Sequence, residues 1–106
     1  MWVIDYWIYG STYATLVSGG RMPVISMFRG IKVMMYYNEH MPPHFHAEYA
    51  EHKCIVDILN GCVIRGSFPS RQLKLVLAWC ELYRDELMQN WELAKNQSRL
   101  VLIDPI

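Results

Sequence analysis

The sequence lacks the features that mark several common classes of protein. Its three cysteines, Cys54, Cys62 and Cys80, are odd in number and lack Cys-x-x-Cys spacing. A disulfide framework or a zinc knuckle is therefore not expected, and a reducing cytoplasm is the natural setting. No apolar run reaches the ~20 residues that a membrane-spanning helix needs, so we expect no membrane association. The chain also has no glycine-rich phosphate loop and no nucleophile elbow.

A net charge is absent as well. Ten Lys and Arg balance ten Asp and Glu, so no overall field draws the chain onto nucleic acid, although a local basic patch stays open. Hydrophobic residues make up 53% of the 106 residues, which is too many for a disordered chain. A chain of this length corresponds to one domain, near the lower end of the sizes that bury a useful core.

Residues 1–21 differ in character from the rest. The first nine are apolar and aromatic and carry only Asp5 as a charge, whereas a signal peptide begins with positive charge. Gly19-Gly20 must be encoded by GGN codons just upstream of the Met22 codon, where a purine-rich ribosome-binding site would lie. We therefore expect residues 1–21 to be an N-terminal extension, either a mis-assigned start or a disordered segment, and residues 22–106 to be the single domain.

Runs of β-branched and aromatic residues predict a set of short strands. Arg29-Gly30 and Asn60-Gly61 are two-residue glycine turns between such runs, which indicates hairpins. The predicted strands are 24–28, 31–37, 44–50, 53–58 and 62–65, with 100–103 as a candidate last edge strand.

The C-terminal third carries a helical pattern. From Pro69 to about Asn96, apolar residues recur at spacings of three, four and seven, which predicts an amphipathic helix. That is long for one helix in so small a domain, so a break near Arg84, with Asp85 capping a second helix, is an alternative. Strands followed by helices predict an α+β fold: a small, mostly antiparallel sheet of four to six strands, with one long or two consecutive C-terminal helices packed on one face.

The chemistry-bearing part of the chain is the His/Pro segment, residues 38–48, which reads NEHMPPHFHAE and holds three of the four histidines. Each proline restricts its own backbone and the residue before it. Met41-Pro42-Pro43 is therefore a stiff spacer that presents His40 and His44 in a fixed relation.

The second half of the His/Pro segment alternates as a strand does. This places His44, His46 and Glu48 on one face, and Phe45 and Ala47 on the other. We expect the apolar set to pack on the core and the polar set to face solvent or a cleft.

One interpretation of the histidines is general acid–base chemistry. Unperturbed histidine has a pKa of ~6.5, so His44, His46 and His40 are candidate acids and bases. Two of them could cleave a phosphodiester without a metal, in the manner of a ribonuclease. Arg29 and Lys32, on a flanking turn and strand, are weaker candidates for stabilising the developing charge.

A second interpretation is a metal site. His44 and His46 share a face with Glu48, and two histidines plus a carboxylate suit zinc or non-haem iron. The run His44-x-His46-x-x-x-x-Glu51 matches the first half of a cupin metal motif. That match is misleading, because the flanking glycines and the second motif are missing. The sequence on balance predicts no cofactor.

A third interpretation needs no chemistry. The histidines then pack against aromatic side chains, hydrogen-bond the free carbonyls of the loop, or help to form a protein-binding surface. Pro42, Pro43, Phe45 and Glu48 are the further candidates for that surface. Residue types and spacing leave the three interpretations open.

Four stretches carry a family resemblance: residues 22–26 (MPVIS), 38–49 (NEHMPPHFHAEY), 56–61 (VDILNG) and 79–91 (WCELYRDELMQNW). In these stretches the chain resembles domain of unknown function 4160, a family of small bacterial proteins. The resemblance covers residues 22–106, and its Pro-Pro-His-Phe-His core is quite specific.

The resemblance implies no established activity. Family members often look like halves of two-gene modules of the toxin–antitoxin type, which implies a small cognate partner from an adjacent gene and, for a toxin, an RNA target. The resemblance also carries over His40, Pro42, Pro43, His44 and His46 as the functional surface. We therefore expect a toxin-like, cytoplasmic component of such a module; a non-catalytic protein- or nucleic-acid-binding module and a small metal-binding protein are the alternatives.

Overall fold

A computed structural model of the protein describes residues 23–106. The predictions made for residues 1–21 lie outside the described residues. The described part has five strands followed by two helices: β1 Val24–Phe28, β2 Ile31–Met34, β3 His44–Tyr49, β4 His52–Asp57, β5 Cys62–Ser67, α1 Ser70–Leu82 and α2 Arg84–Lys95.

The strands form one open sheet in the order β1-β2-β3-β4-β5, and every neighbouring pair is antiparallel. The predicted α+β class is thus confirmed. At the first hairpin Arg29 and Gly30 have φ angles of 52° and 79°, and two successive positive values are what a tight two-residue hairpin requires. The meander leaves β3 in the middle of the sheet, with two strands on either side.

The helical region is two consecutive helices. Tyr83 separates them with a φ of −115°, and its backbone N–H still donates to the carbonyl of Trp79. Asp85 and Glu86 lie in the first turn of α2, where negative charge complements the helix dipole. The predicted break is therefore in place, although Asp85 does not cap the second helix.

The predicted last strand is wrong. Within the described residues, 100–106 form an irregular tail that meets the sheet through one backbone bond, from Ile103 N–H to the carbonyl of Ile25 at 2.8 Å. Side chains of the helices hold the tail instead. Asn90 bonds both the N–H and the carbonyl of Val101, and Trp79 Nε1–H donates to the carbonyl of Asp104 at 2.8 Å.

The main core lies between the sheet and the helices. Trp79 is fully buried there, with its ring 5.4 Å from that of Phe28 and 5.6 Å from that of Phe45. A separate, smaller apolar cluster contains Met34 and Tyr36. The central strand β3 therefore contributes buried side chains to both faces of the sheet.

Candidate functional site

The two histidines of β3 occupy the centre of the sheet. His46 lies opposite Met34 on β2 and Ile55 on β4, and His44 lies opposite Asp57. The prediction that this face meets solvent or a cleft is wrong for both histidines, because His44 is 1% exposed and His46 is 0% exposed. Both faces of the central strand β3 are buried, so its polar positions are as inaccessible to solvent as its apolar ones.

The partner of both histidines is Glu39, which sequence reasoning did not select. Its carboxylate Oε1 lies 2.7 Å from His44 Nε2 and 2.9 Å from His46 Nε2, and Oε2 lies 3.3 Å from His46 Nε2. Asn38, with a φ of 59°, precedes Glu39 in the left-handed conformation that asparagine tolerates better than most residues. We call these three side chains, Glu39, His44 and His46, the Glu–His–His cluster.

The hydrogen bonds of His44 define where its protons lie. Its Nδ1 is 2.7 Å from the carbonyl oxygen of Pro42, and a carbonyl oxygen only accepts, so Nδ1 carries a proton. The other ring nitrogen, Nε2, then faces the carboxylate of Glu39. One imidazole thereby connects the backbone of the loop at Pro42 to the side chain at Glu39.

Burial and charge act in opposite directions on Glu39. Burial raises the pKa of its carboxyl, but the hydrogen bonds and charges of His46 and His44 outweigh that effect and hold the pKa below its ordinary value. For His46, burial lowers the pKa, and the hydrogen bond and charge of Glu39 only partly oppose this. The cluster near neutral pH therefore contains an ionised carboxylate and a neutral His46 imidazole.

Aromatic rings lie against the Glu–His–His cluster. Tyr36 meets His46 edge to face, with ring centroids 4.5 Å apart. Trp91, from α2, lies 5.1 Å from the ring of His44, and the two imidazoles are 5.4 Å apart. The cluster is thus a polar centre inside an aromatic environment, where charge–charge interactions are stronger than in water.

The other predicted acid–base and metal residues do not converge with this cluster, although the charge of Glu48 acts on His46. Glu48 is half-buried and lies opposite Lys32 on β2 and Lys53 on β4. Arg29 is exposed in the β1–β2 turn, at the other end of the sheet from His44. The carboxylate that joins the imidazoles is Glu39 and not Glu48, which corrects the predicted metal set.

The predicted binding residues also divide. His40, Met41 and Pro42 are exposed, whereas Pro43 and Phe45 are buried, with Phe45 in the main core. The Met41–Pro42 peptide bond is cis. The His/Pro segment therefore has an outer part, residues 40–42, and an inner part made of Glu39 and β3.

The Glu–His–His cluster has the composition of a metal site. One carboxylate oxygen and one nitrogen from each imidazole all lie within 4.8 Å of one another, and within residues 23–106 no other group of three such side chains converges in this way. Strand alternation in the sequence predicts Glu48 as the carboxylate ligand, because Glu48 lies on the same face of the same strand as the histidines. A signal for Glu39 did exist: two histidines on a central strand need a buried partner, and Glu39 is the acid in the loop before that strand.

The fold and the site define a small α+β protein with a five-stranded antiparallel meander, two C-terminal helices and a buried Glu–His–His cluster. The family model described as "Domain of unknown function (DUF4160)" matches residues 30–92, more than half of the chain, and the chain belongs to that family. The matched part includes the whole His/Pro segment and most of α2. Neither the curated proteins nor the solved structures contain a match to this chain. Across residues 23–106, none of the helices has the length and apolar character that crossing a membrane demands.

Proposed function

We propose that this protein is a toxin-like component of a bacterial two-gene module of the toxin–antitoxin type, and that it acts by binding a partner protein in the cytoplasm. The observation that carries the proposal is the contrast within the His/Pro segment. A catalytic imidazole has to reach its substrate, but His44 and His46 are buried, while Met41 is 69% exposed. The segment thus combines an exposed surface with a buried polar base.

The proposed docking surface joins two loops at one end of the sheet. The carbonyl of Pro43 accepts a hydrogen bond from Ile58 N–H at 3.0 Å, which ties the His/Pro segment to the β4–β5 loop. Each loop exposes a large apolar side chain. These are Met41 in the His/Pro segment and Leu59, which is 54% exposed, in the β4–β5 loop. We call His40, Met41, Pro42 and Leu59 the loop tip. Exposed apolar side chains on ordered loops favour contact with another protein.

The Glu–His–His cluster holds the loop tip in place. His44 contacts the loop at two points, the side chain of Glu39 and the carbonyl of Pro42, so both ends of residues 39–42 are fixed to β3. Proline further restricts the backbone between these points. A surface that is ordered before binding loses less conformational entropy on association.

Two further observations support the cellular setting. The three cysteines are free thiols, and burial raises the pKa of Cys54 to about 12 and of Cys80 to about 11, so these two are unreactive at neutral pH. Free thiols suit a reducing compartment. The family resemblance supports a small cognate partner encoded by an adjacent gene.

The proposal is tested by co-purification of the full chain with the product of the adjacent gene. Met41→Glu and Leu59→Glu should each weaken the complex by tenfold or more, on the order expected for apolar anchors. The matched controls are Met27→Glu and Leu102→Glu, since these residues are 61% and 78% exposed but lie on β1 and the C-terminal tail. Equal losses in tip and control variants, or no complex with the wild-type chain, would contradict the proposal.

If the protein cleaved RNA, the acid–base alternative would replace the binding proposal. The acid–base alternative requires that RNA is cut by the purified wild-type chain and left intact by a folded His46→Gln variant. We expect no cleavage by either protein.

A further inference from the structure

We infer that the Glu–His–His cluster binds one divalent transition-metal ion, Zn²⁺ or Fe²⁺, through Glu39, His44 and His46. This inference does not depend on the proposed docking of a partner. It rests on the convergence of the ligand atoms, on the arrangement of lone pairs and on the hydrogen bond that orients one imidazole.

The donor atoms point toward one position. Both imidazoles direct Nε2 at the same carboxylate, and the three ligand atoms lie within 4.8 Å of one another. Ligands that bind one metal ion at ~2.0–2.2 Å are separated by about 3–4 Å, so small shifts of these side chains would admit an ion. Two histidines and one carboxylate are the ligand set of several zinc enzymes and of non-haem iron sites.

The lone pairs require a positive centre between His44 and Glu39. His44 Nδ1–H donates to the carbonyl of Pro42 at 2.7 Å, so a neutral imidazole has its lone pair on Nε2. That nitrogen lies 2.7 Å from Oε1 of Glu39, where two lone pairs would repel each other. Either a second proton or a metal ion between Nε2 and Oε1 resolves this repulsion.

The surroundings are those of a metal ligand shell. Histidine ligands usually donate the other ring N–H to a carbonyl or a carboxylate, which fixes the ring and its tautomer. His44 does so with Pro42. Tyr36 and Trp91 pack against the imidazoles, and an apolar shell of this kind limits the access of water and of competing ligands.

A metal ion in the cluster would link the loop before β3 to the strand itself. Glu39 lies in the loop that precedes β3, whereas both histidines lie on β3 itself. An ion bound to all three would close the loop between Glu39 and His44 onto the sheet. Removal of the ion should therefore lower the Tm of the protein and increase cleavage of residues 38–43 by proteases.

The test uses the full chain, purified without a histidine tag and loaded in turn with Zn²⁺ and Fe²⁺, the latter without oxygen. Elemental analysis after desalting should find about one ion per chain. Chelation should lower the Tm by about 5 °C or more, and Zn²⁺ or Fe²⁺ should restore it. Co²⁺ in place of Zn²⁺ should give visible d–d absorption bands.

Variants distinguish the cluster from adventitious binding. Glu39→Gln and His46→Gln should lose the metal, whereas His40→Gln and His52→Gln, which alter the histidines outside the cluster, should keep it. Circular dichroism reports whether each variant is folded. Because the wild-type measurements need no variant, a wild-type chain that binds no ion above background and shows no Tm change with chelator overturns the inference.

Discussion

The two faces of β3 are equally buried and chemically opposite. Toward the helices the strand presents Phe45 and Ala47, which pack in the apolar core. On its other face it presents His44 and His46, which share the carboxylate of Glu39, with Trp91 of α2 against His44. All four side chains are nearly or fully inaccessible to solvent. The comparison shows that depth of burial alone does not identify a hydrophobic core.

The faces differ in what stabilises them. Apolar burial contributes roughly in proportion to area and needs no exact geometry. A buried charged group is stable only while its partners remain, because removing one partner leaves an uncompensated charge. The apolar face should therefore respond to lost volume, and the polar face to lost partners and to pH.

The largest expected effect is on the apolar face. Trp79→Ala removes a fully buried ring that contacts Phe28 and Phe45, and it should lower the free energy of unfolding by about 3–5 kcal/mol. Urea unfolding followed by circular dichroism measures this. The loss should be the same at pH 8 and at pH 6, roughly, since no titrating group is removed. A loss that depends strongly on pH would contradict the assignment of the two faces.

A smaller loss is expected on the polar face. Glu39→Gln preserves the size of the side chain but removes the charge that both imidazoles share, and it should cost about 2–3 kcal/mol at neutral pH. Glu48→Gln is the matched control, because Glu48 is half-buried and lies opposite lysines rather than in the cluster. Equal effects of the two substitutions in urea unfolding would show that the cluster has no special role.

Acid should weaken the polar face in two stages when the protein is kept metal-free with chelator. Burial holds the pKa of His46 below its ordinary 6.5, so the unfolded chain binds the proton first and stability falls as the pH drops below about 6.5. The carboxyl of Glu39, whose pKa is held below 4.5, adds a second loss below about pH 4.5. Stability attributable to both groups is complete above about pH 7.

Unfolding free energies measured across this range check the acid response. Glu39→Gln should remove the second stage and keep the first, because burial still disfavours the charged form of His46. His46→Gln should remove the first stage and weaken the second, because it removes one of the two histidines that hold the pKa of Glu39 low. A wild-type profile that is flat between neutral pH and pH 4, roughly the window concerned, would be inconsistent with the buried pair.

The smallest effect is expected at the exposed histidine of the same segment. His40→Gln should change the free energy of unfolding by less than about 0.5 kcal/mol, whereas His44→Gln removes a buried double contact and should cost several times more. The pair is compared in the same urea titration. Similar costs for the two histidines would mean that the outer and inner parts of the His/Pro segment are not distinct.

Much of the fold could be predicted from local patterns. The hairpin at Arg29-Gly30, the alternation of β3 and the helical stripe are short-range signals, because each depends on residues a few positions apart. Asn60-Gly61 marked the second hairpin correctly, but its loop has four residues, 58–61, and not the predicted two. The prediction of a strand at 100–103 is wrong because contacts with residues distant in sequence determine the path of the tail. Asn90 and Trp79 bind the backbone of the tail, and no local pattern reveals such contacts.

The His/Pro segment shows most clearly which features follow from local sequence and which depend on tertiary contacts. The sequence by itself determined the residue types, the stiffness around Met41-Pro42-Pro43 and the common face of His44 and His46, since all of these follow from covalent restraint and strand periodicity. Only the tertiary structure decided that this face is buried and that Glu39 serves both imidazoles. The physical reason is that strand order and chain reversal set which distant groups meet, and those meetings determine burial, charge pairing and any site for a metal ion.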